Sequence, residues 1–218
     1  MIDLKLLSYL EEFISENRKQ RFVEILAERT NYLTVAVEDV FQMHNTSAVV
    51  RSCESFGVQT AHLIEDRNGQ HLDEEIAMGA QKWVDIKRYQ NSKQVIDSLR
   101  EKGYKIVATS PHADSSLLQD FKLDSKTALF FGTEKNGLSD YVLENSDAYL
   151  KIPMVGFTES LNISVSAAII LQHLTTQLKA SDADWELTEE QIFETRLDWT
   201  KKSIKSIDDI LERYKSDN

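Results

Sequence analysis

Phe157-Thr158-Glu159-Ser160-Leu161-Asn162-Ile163-Ser164-Val165-Ser166-Ala167-Ala168 runs from a loop of small polar groups straight into an apolar, Ala-rich helical pattern. It follows the apolar stretch 149–155, which Lys151 and Pro153 interrupt. Ser160-Leu161-Asn162 therefore falls where a helix begins. At such a start the first backbone N–H groups lack partners within the helix, and short polar side chains stand close by. A long helix is expected over 160–178, and the junction ahead of it suits a bound small molecule.

Outward from this junction, short β-prone runs alternate with helical ones. Strands are expected at 33–37, 61–64, 83–86, 105–109, 127–131 and 149–152, and helices at 46–56, 92–102 and 139–144. Gly57 and Gly103 each follow a helix, as C-cap glycines do. This alternation predicts an α/β domain with a parallel sheet and helices on both faces. Leu4, Leu7, Leu10, Phe13 and Ile14, then Phe22, Ile25 and Leu26, predict two short helices within 1–30. Residues 181–186 read as an acidic connector, and Thr188 with Gln191 as a capping box. Ile192, Phe193, Leu197, Ile204, Ile207, Leu211 and Tyr214 then predict one or two amphipathic helices. These terminal apolar faces need partners: the central core, each other, or a second subunit. The expected division is an N-terminal helical extension at 1–30, the α/β domain at 31–178 and a C-terminal helical tail at 179–218.

A chain of 218 residues with 41% hydrophobic content can bury one substantial core and still carry appendages. No apolar run approaches the roughly 20 residues a membrane helix needs. Met1-Ile2-Asp3-Leu4-Lys5 lacks the order of a signal peptide, so cytoplasmic residence is the default expectation. The single cysteine, Cys53, excludes an intramolecular disulfide and a cysteine-based zinc cluster. His44, His62, His71, His112 and His173 show no zinc spacing, so no metal is expected. A formal charge of −11 argues mildly against nucleic-acid binding, but phosphate contacts are local. Arg18, Lys19, Arg21 and Arg29 cluster near the start, and Lys201, Lys202 and Lys205 near the end.

Open α/β sheets bind ligands beyond the carboxyl ends of their strands. Three loops fall at such ends: Thr109-Ser110-Pro111-His112, Gly132-Thr133-Glu134-Lys135-Asn136-Gly137, and residues 153–162. Neither GxGxxG nor GK[ST] occurs, so dinucleotide and Walker phosphate loops are absent. Gly132 and Gly137 fit either a turn or a ligand contact. In the fourth polar segment, Asn45 is placed to cap the helix at 46–56. Arg51 lies beyond Ala48, Val49 and Val50 on a helix that reads as largely buried, where an arginine needs a partner. Two partners fit: a carboxylate such as Glu54, or a phosphate, whose oxygens match the guanidinium fork.

Three blocks occur in a fixed order: Asn45-Thr46-Ser47-Ala48-Val49-Val50-Arg51, Leu129-Phe130-Phe131-Gly132-Thr133-Glu134-Lys135-Asn136-Gly137-Leu138, and Ile152-Pro153-Met154-Val155-Gly156-Phe157-Thr158-Glu159-Ser160-Leu161-Asn162-Ile163-Ser164-Val165-Ser166. With them the chain resembles the SpoU class of the SPOUT RNA methyltransferases over residues 18–178. The resemblance implies methylation of an RNA ribose 2′-hydroxyl from S-adenosylmethionine. It also implies a parallel-sheet SPOUT fold with a C-terminal trefoil knot, a homodimer, and no membrane or metal. Asp39-Val40-Phe41-Gln42-Met43-His44 and the basic lead-in at 18–29 are similar to the branch that acts on tRNA, at a D-loop guanosine. By the same resemblance, backbone groups at Thr109, Gly132, Ile152 and Leu161, with Met154 beside them, hold the cofactor, and Gly132 permits close approach. Arg51 matches the catalytic arginine, binding the adjacent phosphate and stabilising the developing alkoxide, with a role as base left open. Asn45, Glu134, Ser160 and Asn162 position the hydroxyl and hold the loops. Arg18, Lys19, Arg21 and Arg29 are the expected RNA contacts. Met43 departs from the proline common in similar chains, and residues 1–15 extend past the shortest of them. The alternatives are an rRNA or different tRNA nucleotide as target, and a non-catalytic RNA-binding module of the same fold.

Overall fold

Leu33, Val35, Ala36 and Val37 are buried, as are Ala61, Leu63, Ala128, Leu129, Phe130 and Phe131. Runs apolar on both sides form the interior strands of a parallel sheet, since helices cover both its faces. The computed structural model of the chain describes residues 3–38, 43–64, 79–111, 115–133 and 136–217. Among them seven strands form one sheet: β1 (Leu33–Glu38), β2 (Thr60–Ile64), β3 (Asp85–Tyr89), β4 (Lys105–Thr109), β5 (Ser116–Leu117), β6 (Thr127–Phe131) and β7 (Ala148–Lys151). The order is β3-β2-β1-β6-β4-β7-β5, and every pairing is parallel. Val35 sits opposite Ala61 on one side and Leu129 on the other, and Val107 opposite Leu129 and Ala148.

The helices divide by face. Val49, Val50 and Cys53 of α3 (Met43–Ser55) and Ile170, Leu171 and Leu174 of α6 (Ile163–Lys179) join Val35, Val37 and Leu129 in one core cluster. Val95, Ile96 and Leu99 of α4 (Ser92–Glu101) and Val142 of α5 (Asp140–Glu144) join Ala36, Ala128 and Phe130 in another. Strand residues alternate between the clusters, as a period of two requires. Gly57 and Gly103 follow α3 and α4 with φ of 81° and 78°, the left-handed C-cap geometry expected of them.

Four local readings differ from expectation. The third strand begins at Asp85, because Trp83 and buried Val84 occupy the turn ahead of it. The long helix begins at Ile163, with Asn162 as N-cap, so Ser160 and Leu161 remain in the loop. Asn45 lies inside α3 and does not cap it. The two-residue strand β5 is too short to leave a periodic trace.

Thr30–Trp185 forms one compact unit, and Met1–Arg29 with Glu186–Asn218 forms another. In the second, α1 (Leu4–Glu11) packs on α7 (Glu189–Ser203) and α8 (Ile207–Asp217), and α2 (Glu16–Leu26) packs on α7. The apolar faces of the two termini are therefore partners of each other. The capping box of Thr188 and Gln191 starts α7 with both reciprocal bonds present. Phe22 meets buried Trp199 edge-on, with ring centroids 5.4 Å apart. Arg29 corrects an expectation: it is 1% exposed, with its guanidinium 5.4 Å from the centre of the Trp199 ring. A buried cation stacked on an indole belongs to this small core and is withdrawn as an RNA contact. Among the described residues no helix is long and apolar enough to cross a membrane.

Candidate active site

Parallel strands present all their carboxyl ends along one edge. Thr109 ends β4, Phe131 ends β6 and Lys151 ends β7, three neighbouring positions in the sheet. The segments leaving these ends line one cavity of about 360 Å³. Thr109 is fixed by its hydroxyl, which donates to the Phe130 carbonyl at 2.8 Å, and the Ser110 N–H donates to the Leu150 carbonyl at 3.0 Å. These bonds stitch the start of the first loop to both neighbouring strands.

The second loop is shaped by Gly132. Thr133 and Gly137 exchange paired backbone bonds of 2.9 Å, folding the loop back on its own start. A Cβ built on Gly132 would stand 2.1 Å from the Gly137 carbonyl carbon and 2.3 Å from the Leu138 nitrogen. The close approach that Gly132 permits is thus by the loop's own backbone. Gly137 contributes a φ of 66°, so both glycines are turn formers and both line the cavity.

The third segment runs exposed from Pro153 to Asn162. It contributes Met154, Glu159, Ser160 and Leu161 to the cavity wall, while Ile152 at its base is half-buried. All five residues expected at the cofactor, Thr109, Gly132, Ile152, Met154 and Leu161, therefore line this one cavity. Leu138, Leu150, Ile163 and Ile170 add an apolar floor, and Ser110, Thr133, Asn136 and Ser166 add polar groups. Among the described residues, Lys151 and Glu159 are the charged ones in the lining. Apolar walls with a few polar groups, at a volume within the range of roughly 300–1,000 Å³ for small-molecule sites, suit a bound small molecule.

Asn162 links this wall to α3. Its Oδ1 accepts from the Ser164 N–H at 2.8 Å, and its Nδ2 donates to Asn45 Oδ1 at 3.1 Å. Asn45 is 6% exposed while Asn162 is exposed, so the amide pair is a part-buried tie between the starts of α3 and α6. Arg51 lies six residues further along α3, roughly 9 Å of helical rise. It does not line the cavity, and it is exposed where burial was expected. Among the described residues its guanidinium has no ion pair, Glu54 included. Glu134 and His112 lie outside the described residues.

The cavity also contains Ser110, Asn136, Glu159 and Ser166, which sequence reasoning did not single out. Ser110 and Asn136 belong to loops already marked as ligand-facing, so position within those loops was their available signal. On α2, Arg18 and Arg21 are exposed, the latter 3.4 Å from Glu24, while Lys19 is half-buried and pairs with Glu16 at 3.0 Å.

The SpoU rRNA Methylase family matches residues 32–172 of this chain. A tRNA (guanosine(18)-2′-O)-methyltransferase of Borreliella burgdorferi is 41% identical over 203 residues, 93% of each chain. A solved A. aeolicus TrmH/SpoU tRNA modifying enzyme superposes with a TM-score of 0.78 at 31% identity, covering 87% of this chain and 98% of its own. An AdoMet-bound rRNA methyltransferase from Sinorhizobium meliloti superposes with a TM-score of 0.59 at 25% identity, covering 67% of this chain and 56% of its own.

Proposed function

The chain belongs to the SpoU rRNA methylase family, and from that premise we propose that it is a tRNA (guanosine(18)-2′-O)-methyltransferase using S-adenosylmethionine. The observation that carries the reading is the convergence of three strand-end loops on one cavity, in a chain matched across 93% of its length by an enzyme of that name. S-adenosylmethionine, when bound, supplies an activated methyl group. The residues placed to hold it are Thr109, Gly132, Ile152, Met154 and Leu161, with Ser160 at the wall.

A ribose 2′-hydroxyl is a poor nucleophile near neutral pH and must be oriented and relieved of its proton. Arg51 is exposed and without an ion pair among the described residues, so its fork is open to an RNA phosphate. A guanidinium with a pKa above about 12 is a poor free base. Its part is to grip that phosphate and stabilise the developing alkoxide. Asn45 and Asn162 hold α3, and with it Arg51, against the loop that closes the cavity. Glu134 and Ser160 enter the site on resemblance.

The fold proposed is a C-terminal trefoil knot. It is supported by strand order: β7 is inserted between β4 and β5, both of which precede it in the chain. A homodimer is supported by Val155 and Phe157, 106% and 108% exposed, with Leu161, Val165 and Ile169 also exposed. Large apolar groups facing water are what a contact with a second copy would cover. Cytoplasmic residence belongs to the same reading, as does RNA contact through Arg18, Lys19 and Arg21.

Incubation with methyl-labelled cofactor and separate tRNA and rRNA pools, followed by mapping of the modified nucleotide, tests the function. Label is expected in tRNA at one D-loop guanosine ribose. Label confined to rRNA, or at another tRNA position, would move the enzyme to a different branch of the family. Absence of cofactor binding would leave a non-catalytic module.

A further inference from the structure

β1 ends at Glu38, a carboxylate only 7% exposed. Oε2 accepts from the Ser139 N–H at 2.7 Å. Oε1 accepts from the Ser139 hydroxyl at 2.7 Å and from the Ser92 hydroxyl. Among the described residues Glu38 forms no ion pair, so its charge is met by neutral donors alone. Taking a carboxylate out of water without a cation is costly, and its donors must then be held in good geometry.

The position of those donors gives the arrangement its meaning. Ser139 is the N-cap of α5 and the residue at which the loop begun at Gly132 ends. Ser92 is the first residue of α4. One carboxylate therefore ties the starts of two helices to the carboxyl end of β1. The Thr133–Gly137 bridge and the tight packing at Gly132 fix the loop's shape but not its placement against the sheet. Placement comes from its ends. One is strand β6; the other is Leu138, buried in the core, followed at once by Ser139 on Glu38.

We propose that Glu38 is a positioning residue for the cofactor cleft: through Ser139 it sets the height of the wall formed by Gly132, Thr133, Asn136, Gly137 and Leu138, and thereby the affinity for S-adenosylmethionine. This rests on the cofactor reading above. Glu38 itself does not line the cavity, so its effect is transmitted through the loop.

Glu38→Ala removes the acceptor; Glu38→Gln keeps length and shape. The glutamine carbonyl can face the Ser139 N–H while the two serine hydroxyls rotate to accept from its amide. Calorimetric titration with S-adenosylmethionine should show about tenfold weaker binding in Glu38→Ala, the scale of one buried donor left unmet. Glu38→Gln should stay within about threefold of the parent on the same scale. The KM for cofactor should rise in Glu38→Ala while kcat at saturating cofactor and affinity for tRNA hold. Hydrogen exchange should quicken at 132–133 and 136–139 in that variant and not in α6. Parental cofactor affinity in a folded Glu38→Ala overturns the inference, as does a uniform loss of kcat, tRNA affinity and cofactor affinity. If Glu38→Ala does not fold, Ser139→Ala takes its place, and unchanged cofactor affinity there overturns it equally. Failure of the parent to bind S-adenosylmethionine sinks the cofactor reading itself, a result distinct from any variant effect.

Discussion

At Gly132 a single hydrogen in place of a methyl decides whether the cleft wall can form. The neighbours a Cβ would strike are main-chain atoms of Gly137 and Leu138, which no rotamer change can move aside. Gly132→Ala should lose about 1–3 kcal/mol of stability, the usual range for overpacking, and most of its cofactor affinity. Thermal melts with calorimetric titration check this; parental affinity would show the loop to be more yielding than its geometry implies. Arg51→Ala should leave the fold and cofactor binding intact while kcat falls by about 10²–10³, the range for losing one preorganised electrostatic donor. Full transfer activity in that variant would remove Arg51 from the site. Both residues stood out in the sequence, but their surroundings did not. Arg51 read as buried because Ala48, Val49 and Val50 precede it. A helix turns about 100° per residue, so Val49, Val50 and Cys53 face the core while Arg51 faces water. Arg29 failed in the opposite sense. Sequence proximity groups it with the basic residues at 18–21, yet its partner Trp199 comes from the far end of the chain, a contact no local pattern encodes.

Among the elements, the edge pair β2–β3 carries the clearest pH dependence. His62, on β2, is 2% exposed, sits opposite Lys87 and lies 3.2 Å from the Tyr89 hydroxyl. Burial first, and then Lys87 and Lys102, lower its pKa from the ordinary 6.5 to about 3. The folded chain thus holds a neutral imidazole where the unfolded chain takes up a proton below pH 6.5. Stability contributed by His62 is complete above that pH and falls as the pH drops toward 3, by about 1.4 kcal/mol per unit. By pH 5 the loss should reach about 2 kcal/mol on that slope. Denaturant unfolding at pH 7.5 and 5 should show it in the parent and a smaller fall in His62→Gln; equal falls would assign the acid sensitivity elsewhere. The elements themselves were largely legible, because central parallel strands are continuous apolar runs and glycines mark the ends of α3 and α4. The lateral order of the strands was not. Nothing in 148–151 states that it pairs between β4 and β5, since pairing depends on chain segments remote in sequence. The cavity walls followed from strand ends, whereas the Asn45–Asn162 tie needed two segments brought together.

The whole molecule sets a problem that its parts must solve. A chain of net charge −11 must approach a polyanion, so its long-range field opposes encounter and its affinity has to come from local cations. Arg18 and Arg21 lie three residues apart on α2, on one face of the helix, and both are exposed. Arg21 has one exposed partner, Glu24 at 3.4 Å, an ion pair weak enough to exchange for phosphate. Lys19 is half-buried against Glu16 and Arg29 is buried on Trp199, so the cluster of four reduces to two cations well presented to RNA. Each phosphate neutralised contributes about 0.7–0.9 to the slope of log affinity against log salt. Arg18→Glu with Arg21→Glu should therefore weaken tRNA binding at low salt and flatten that slope by roughly 1.5 units. The gap from the parent should close as salt rises, because screening removes the interaction being deleted. Cofactor affinity should not change, since the cavity lies wholly within Thr30–Trp185 and α2 belongs to the other unit. Filter binding across a salt series with matched calorimetry separates the outcomes. An unaltered slope would make this face of α2 an ordinary solvated surface, and the RNA-gripping cations would then have to be sought at Lys201, Lys202 and Lys205 or within the α/β unit.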